Sequence, residues 1–140
     1  MTAPTRSRTA LAVVAAGAWV GANEFLRNQL VLSANWAAHY GSLRLQFPAS
    51  PVNGAVWGLW SLLFAAAVVI LSRRFGLLAT AALAWFVGFL LMWIVIGNLG
   101  VLPIGILGVA IPWSLAECFG AAWIAQRLAG MPGEEPRRGP

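Results

Sequence analysis

Glu24 and Glu117 are the residues of this chain best placed to do chemistry, because each is a carboxylate inside an otherwise apolar stretch. An acidic side chain near mid-bilayer costs about 2.5–3.5 kcal/mol on insertion, so one that is kept there has a partner or a task. Glu24 has a partner close by. Arg27 and Asn28 follow it on the same helix face, a spacing that predicts a local ion pair with amide support. Glu117 has none in sequence. Helix rise places it roughly 14 Å from the inner end of its stretch and Arg27 roughly 25 Å from the same level, so direct pairing is not expected. The expectation is a neutral acid, hydrogen-bonded to Ser114, an indole N–H or a backbone carbonyl. Glu117, Glu24, Arg27, Asn28 and Ser114 thus form the candidate intramembrane polar site. Such a site suits proton or solute handling, and it equally suits a polar lock between helices.

The rest of the chain offers little chemistry. His39 is the single histidine, and with Tyr40 and Arg44 it makes a weaker candidate group in the segment 33–51. A lone imidazole cannot build a zinc site, which needs three or four ligands, and this segment holds no Cys, Asp or Glu. Cys118 is the only cysteine, which excludes an internal disulfide and a cysteine metal cluster. No nucleophile elbow, phosphate-binding loop or pair of haem ligands is present. No catalytic residue, cofactor or metal is therefore expected.

Positioning these residues falls to four apolar stretches. With 60% hydrophobic residues, 9% charged residues and a mean hydropathy of +0.78, the 140-residue chain cannot wet the surface of a soluble domain. The pattern predicts an all-α membrane protein, a four-helix bundle with spans at about 10–32, 52–72, 77–97 and 104–126. One transmembrane domain covers 10–128, between a basic arm at 1–9 and a disordered tail at 129–140. The first span is the most broken. Val20-Gly21-Ala22 could serve as a signal-peptide cleavage site, but Phe25, Leu26 and Leu30 to Leu32 carry the apolar character past it, so a retained span is expected. Segment 33–51 is expected to rest at the membrane surface, with a short helix that its prolines stop. Pro112 is expected to bend the fourth span.

Arginine placement sets the orientation. Arg6, Arg8, Arg73, Arg74, Arg127, Arg137 and Arg138 fall on one side of a four-span chain and Arg44 on the other, which predicts both termini in the cytoplasm. The net charge of +5 is therefore an orientation signal and not a nucleic-acid footprint. All basic residues are Arg, with Lys and Asp absent, as in a GC-rich bacterial genome, so the expected location is a bacterial inner membrane.

Small residues predict how the helices meet, since membrane helices associate through close backbone approach and buried polar contacts. Gly54, Gly58, Ser61 and Ala65 form one stripe, and Gly17, Gly21, Glu24 and Asn28 a second that runs into the polar site. Ala110, Ser114, Glu117 and Ala121 form a third, with a looser one at Ala81, Ala84 and Gly88. Of the eight tryptophans, Trp36, Trp57 and Trp93 fit an outer aromatic belt with Tyr40, and Trp123 an inner one. Trp19, Trp85 and Trp113 lie deeper, where each indole N–H requires an acceptor.

The outline resembles the small multidrug resistance transporters in its four spans and the glutamate in the first. Asn23 and Arg27 beside that glutamate, the long 33–51 segment and Glu117 depart from the pattern, so membership is not implied. Three functions stay open. The first is a non-enzymatic packing or interaction protein, with the bilayer and a second copy or another membrane protein as partners. The second is a small proton- or solute-coupled carrier using Glu117 and Glu24. The third is a membrane-surface enzyme using His39, Tyr40 and Arg44.

Overall fold

The computed structural model describes residues 6–129. The first five residues of the basic arm and residues 130–140 of the tail expected at 129–140 lie outside the described residues, while Ala129, expected in that tail, is the buried last residue of the final helix. Within them the chain is helical, with no strand, and four helical stretches are long and apolar enough to cross a membrane: Arg6–Val31, Pro51–Ser72, Leu77–Asn98 and Ile104–Ala129. The expected spans 52–72, 77–97 and 104–126 sit inside these, and the expected 10–32 passes the end of its helix by one residue, Leu32. Arg6 to Thr9, expected in the polar arm, already belong to the first helix.

Helix α1 (Arg6–Phe25) runs directly into a π-helical turn at Leu26–Val31. A short helix, α2 (Ser33–Ser42), follows within the segment where one was expected, but no proline ends it. Arg44 takes a left-handed φ of 58°, with its N–H on the Gly41 carbonyl at 3.0 Å and the Leu45 N–H on the Tyr40 carbonyl at 2.9 Å. This is a Schellman stop, which satisfies carbonyls that the helix end leaves bare. Pro51 instead opens helix α3 (Pro51–Ser72) from its first turn, where a missing N–H costs nothing, and Ser50 caps the helix by accepting from the Asn53 N–H at 3.3 Å.

The third span consists of α4 (Leu77–Trp85), a π turn at Phe86–Leu90 and α5 (Leu91–Asn98). Gly88 lies in that turn because a Cβ there would collide with the Phe64 ring. A 3-10 turn at Ile104–Ile106 leads into α6 (Leu107–Ala129), which continues helically through Pro112.

Three contacts fix which ends lie together. The Arg73 guanidinium donates to the Thr9 hydroxyl at 2.8 Å, and the Gln126 amide donates to the Phe75 carbonyl at 3.2 Å. The start of α1, the α3–α4 link and the end of α6 therefore share one end, which collects Arg6, Arg8, Arg73, Arg74 and Arg127 and is called the basic end below. At the opposite end, His39 Nε2 meets the Gly100 carbonyl at 2.8 Å and pins α2 to the link before α6. Helix α1 packs between α3 and α6, and α6 also meets α4. Buried alanines on these helices bring the backbones close, while Leu11, Val14, Leu59, Leu63 and Ile70 stand exposed on the outside.

Candidate functional site

A buried Glu–Arg–Glu triad joins α1 to α6. Glu24 lies in the last turn of α1 and Arg27 in the π turn that follows, while Glu117 lies midway along α6. All three side chains are buried, at 5%, 3% and 1% exposure. Arg27 Nη1 donates to Glu117 Oε2 at 2.9 Å and Nη2 donates to Glu24 Oε1. Asn28 donates to the other Glu24 oxygen at 2.8 Å and accepts from the Trp36 indole of α2 at 3.0 Å. The Arg27 guanidinium also lies 5.3 Å from the centre of the Phe89 ring, within range of a cation–π contact. A polar chain thus runs from the surface helix α2 to the centre of the bundle.

The pairing of Glu117 with Arg27 corrects the expectation drawn from helix rise alone. In a helix each Cα–Cβ bond tilts toward that helix's own N-terminus. Helices α1 and α6 are antiparallel, so Arg27 leans toward the basic end and Glu117 toward α2. The two long side chains then close an axial offset of roughly 11 Å. The expected partners of Glu117 are engaged elsewhere. Ser114 donates to the Ile111 carbonyl at 3.0 Å and accepts from the Trp85 indole at 2.8 Å. The Trp19 indole does reach Glu117, but at its backbone carbonyl, at 3.0 Å.

One carboxylate oxygen remains unserved. Glu117 Oε1 is buried and has no hydrogen-bond partner among the described residues. By formal charge the triad counts two negative groups against one positive, an excess of one negative charge inside an apolar bundle.

The deep indoles have found the acceptors they require. Besides Trp19 and Trp85, Trp113 donates to the Asn23 side-chain carbonyl at 3.0 Å, and the Asn23 amide donates to the Trp19 carbonyl at 2.9 Å. Sequence reasoning placed Trp36 in an interfacial belt and missed that it ends the polar chain. The signal was available in the rule that a half-buried indole seeks an acceptor. Phe89 was missed too, because nothing in its own spacing marks it as the floor beneath an arginine.

A cavity of about 510 Å³ opens between α1 and α3 on the α2 side of the triad, lined among others by Glu24, Asn28, Gln29, Asn53, Trp57 and Ser61. The small-residue stripe on α3 is therefore only half packed. Ser61 and Ala65 are buried, but a Cβ added at Gly54 or Gly58 meets nothing within 4 Å.

Comparison with family models, curated proteins and solved structures finds no match. The outline shared with the small multidrug resistance transporters is thus one of span number and a glutamate in the first helix. The geometry has to speak for itself.

Among the described residues no group of three His, Cys, Asp or Glu side chains could hold a metal ion, and Cys118 is a free, buried thiol. The surface candidates are engaged separately. His39 holds the Gly100 carbonyl, and Arg44 shapes the end of α2. Tyr40 joins Trp36 and Phe47 in an aromatic cluster whose ring centres lie 5.5–6.1 Å apart.

Proposed function

We propose that this chain is a small, non-enzymatic, multi-pass carrier of a bacterial inner membrane, with both termini cytoplasmic, that takes up and releases a proton at the Glu24–Arg27–Glu117 triad. The observation that supports this reading is the charge count. Two carboxylates share one guanidinium in an apolar interior, and one oxygen, Glu117 Oε1, has no donor. An uncompensated charge at that depth is costly, and a single proton removes it.

Glu24 is the member that meets the cavity and so receives the proton first. A hydronium gives its proton to a Glu24 oxygen and leaves as water. Arg27 is then balanced by Glu117 alone and can turn its fork onto both Glu117 oxygens, which supplies Oε1 with the donor it lacks. Loss of the proton reverses the turn. The proton thereby changes the contacts that tie α1 to α6, and a change of helix contacts is what a carrier needs. A bundle of this size rarely encloses a full pathway, so a homodimer is part of the proposal.

Infrared difference spectroscopy on protein reconstituted in liposomes tests it. A protonated-carboxyl band is expected to gain and lose intensity as the pH is cycled, and to shift or vanish in Glu24→Gln and Glu117→Gln. Absence of any such band in folded protein overturns the carrier reading.

A second reading has an observation of its own. The indoles of Trp19, Trp36, Trp85 and Trp113 each stitch one helix to another through a hydrogen bond. Such stitching suits a packing or interaction protein in which the triad is a fixed lock. In that case a titrating carboxyl band is absent and the bundle is rigid in both variants.

A further inference from the structure

We propose that the cavity between α1 and α3 is a water-filled vestibule that admits protons to Glu24 from the α2 side only. The proposal rests on the proton-handling reading for its purpose, but on geometry for its existence. Helix α3 begins at Pro51, and the cavity lining continues along it to Ser61, a depth of about 15 Å, or roughly half of an apolar core about 30 Å thick. Glu24, with Arg27 behind it, stands in the wall of the cavity, whose lining closes at Gly21 and Ser61. Its volume of 510 Å³ has room for on the order of fifteen waters at liquid density.

Much of the lining is apolar, with Phe25, Pro51 and Trp57 beside the glycines, and what favours water over lipid is the polar groups that follow one another from the mouth to Glu24. Gln29, Ser50 and Asn53 stand near the mouth, partly or fully exposed, with Asn28 and Glu24 below them. Asn28 and Glu24 are paired inside the protein, Ser50 accepts from the Asn53 N–H and the Asn53 amide donates to the Pro48 carbonyl. The case for water therefore rests on Gln29 and on the hydrogen-bonding capacity that Ser50 and Asn53 have left, which an acyl chain cannot meet.

The path ends at the triad. Toward the basic end the helices close on apolar side chains, with Ala12, Ala16, Val68, Val69, Ala121 and Ala125 each at 0 or 1% exposure. From Glu117 to Ala125 on α6 this apolar seal is about 12 Å long, and the buried polar side chains of Ser72, Thr80 and Gln126 begin only beyond it, near the basic end. The charged and titratable groups around the triad come from α1 and α6 alone: Glu24, Arg27, Glu117 and the Cys118 thiol. The spans Pro51–Ser72 and Leu77–Asn98 carry no ionisable side chain. In this conformation the molecule therefore communicates with one side of the membrane, and exchange with the other requires the α1–α6 contact to rearrange.

Thiol labelling tests the vestibule directly. In full-length protein carrying Cys118→Ala, Gly58→Cys places a thiol where the cavity has free space. Ala37→Cys on α2 and Arg74→Cys on the α3–α4 link mark the two sides. A charged, membrane-impermeant methanethiosulfonate is expected to label Gly58→Cys from the side that labels Ala37→Cys and not from the side that labels Arg74→Cys. Native Cys118, at 0% exposure, is expected to stay unlabelled in the otherwise unaltered protein. Labelling of Gly58→Cys only by a lipophilic maleimide means that lipid fills the cavity, and labelling from the Arg74 side means that the seal is open. Either result overturns the proposal. The two readings fail separately: a labelled Gly58→Cys without a titrating carboxyl leaves the vestibule and removes the proton role, while the converse removes the vestibule alone.

Discussion

The two halves of the seam between α1 and α3 are built from the same kinds of residue and end in opposite states. Toward the basic end, Gly17 lies so close to α3 that an added Cβ would come within 2.8 Å of Leu62, and Gly21 faces Ser61 at 3.5 Å. Toward the α2 end, Gly54 and Gly58 face nothing, and the space between the helices is a cavity. A stripe of small residues permits a close approach but does not compel one. What separates the halves is the partner stripe on α1, which turns from glycine to Glu24 and Asn28. Those side chains are committed to Arg27 and to α2, and the π turn at Leu26–Val31 breaks the helical register beside them. Polar commitments elsewhere leave α3 without a surface to pack against, which is how a membrane bundle keeps a wet pocket. π turns recur at such functional places.

The largest predicted effect breaks the polar half. Replacing Arg27 by Met leaves two carboxylates buried without their cation, and removal of one partner from a buried ion pair typically costs about 3–5 kcal/mol. Thermal unfolding in detergent is expected to show a bundle that is barely folded. Adding Glu24→Gln and Glu117→Gln to Arg27→Met is expected to restore most of the loss, because the stranded charges are then gone. A triple variant no more stable than Arg27→Met would mean that the arginine acts through its packing on Phe89 and not through charge.

The next effect contrasts packed and open glycines. At Gly120 an added Cβ would come within 2.6 Å of the Trp19 indole, the same ring that donates to the Glu117 carbonyl. Gly120→Leu is expected to lose about 1–3 kcal/mol through overpacking, with the lower figure reached only if the indole moves aside. Gly58→Leu, introduced into free space, is expected to leave stability unchanged or slightly raised, since Leu is a better helix former than Gly. Equal destabilisation by both substitutions would remove the distinction between packed and open glycines.

How much of this was legible in the sequence follows from the same contrast. The four spans were readable because hydropathy over about 20 residues is a bulk property, insensitive to any one contact. The Glu24–Arg27–Asn28 cluster was readable because its partners lie within one helical turn. The Arg27–Glu117 pair was not, since it depends on the direction in which two antiparallel helices lean their side chains, which spacing along one chain does not record. The stop at Arg44 was hidden for a related reason: a left-handed residue need not be glycine when two backbone hydrogen bonds hold it there. The cavity was hidden as well, because the four-residue spacing of Gly54 and Gly58 looks the same whether the opposite helix fills it or not.

The smallest predicted effect tests the link between the two ends of the polar chain. Trp36 of α2 reaches Asn28 through its indole N–H and also packs on Tyr40 and Phe47, so Trp36→Phe removes the hydrogen bond and keeps an aromatic ring. A net hydrogen bond of this kind contributes about 0.5–1.5 kcal/mol, and global stability is expected to fall within that range. The more telling readout is local. Asn28 loses the donor that orients its amide, so its own donation to Glu24 loosens and α2 is left held by His39 and the aromatic cluster. Hydrogen exchange at the amides of α2 is expected to quicken while exchange in α6 stays as it was. If α6 quickens by the same factor, the surface helix and the triad form one cooperative unit, and a ligand that settles on α2 has a direct means of changing the contacts between α1 and α6.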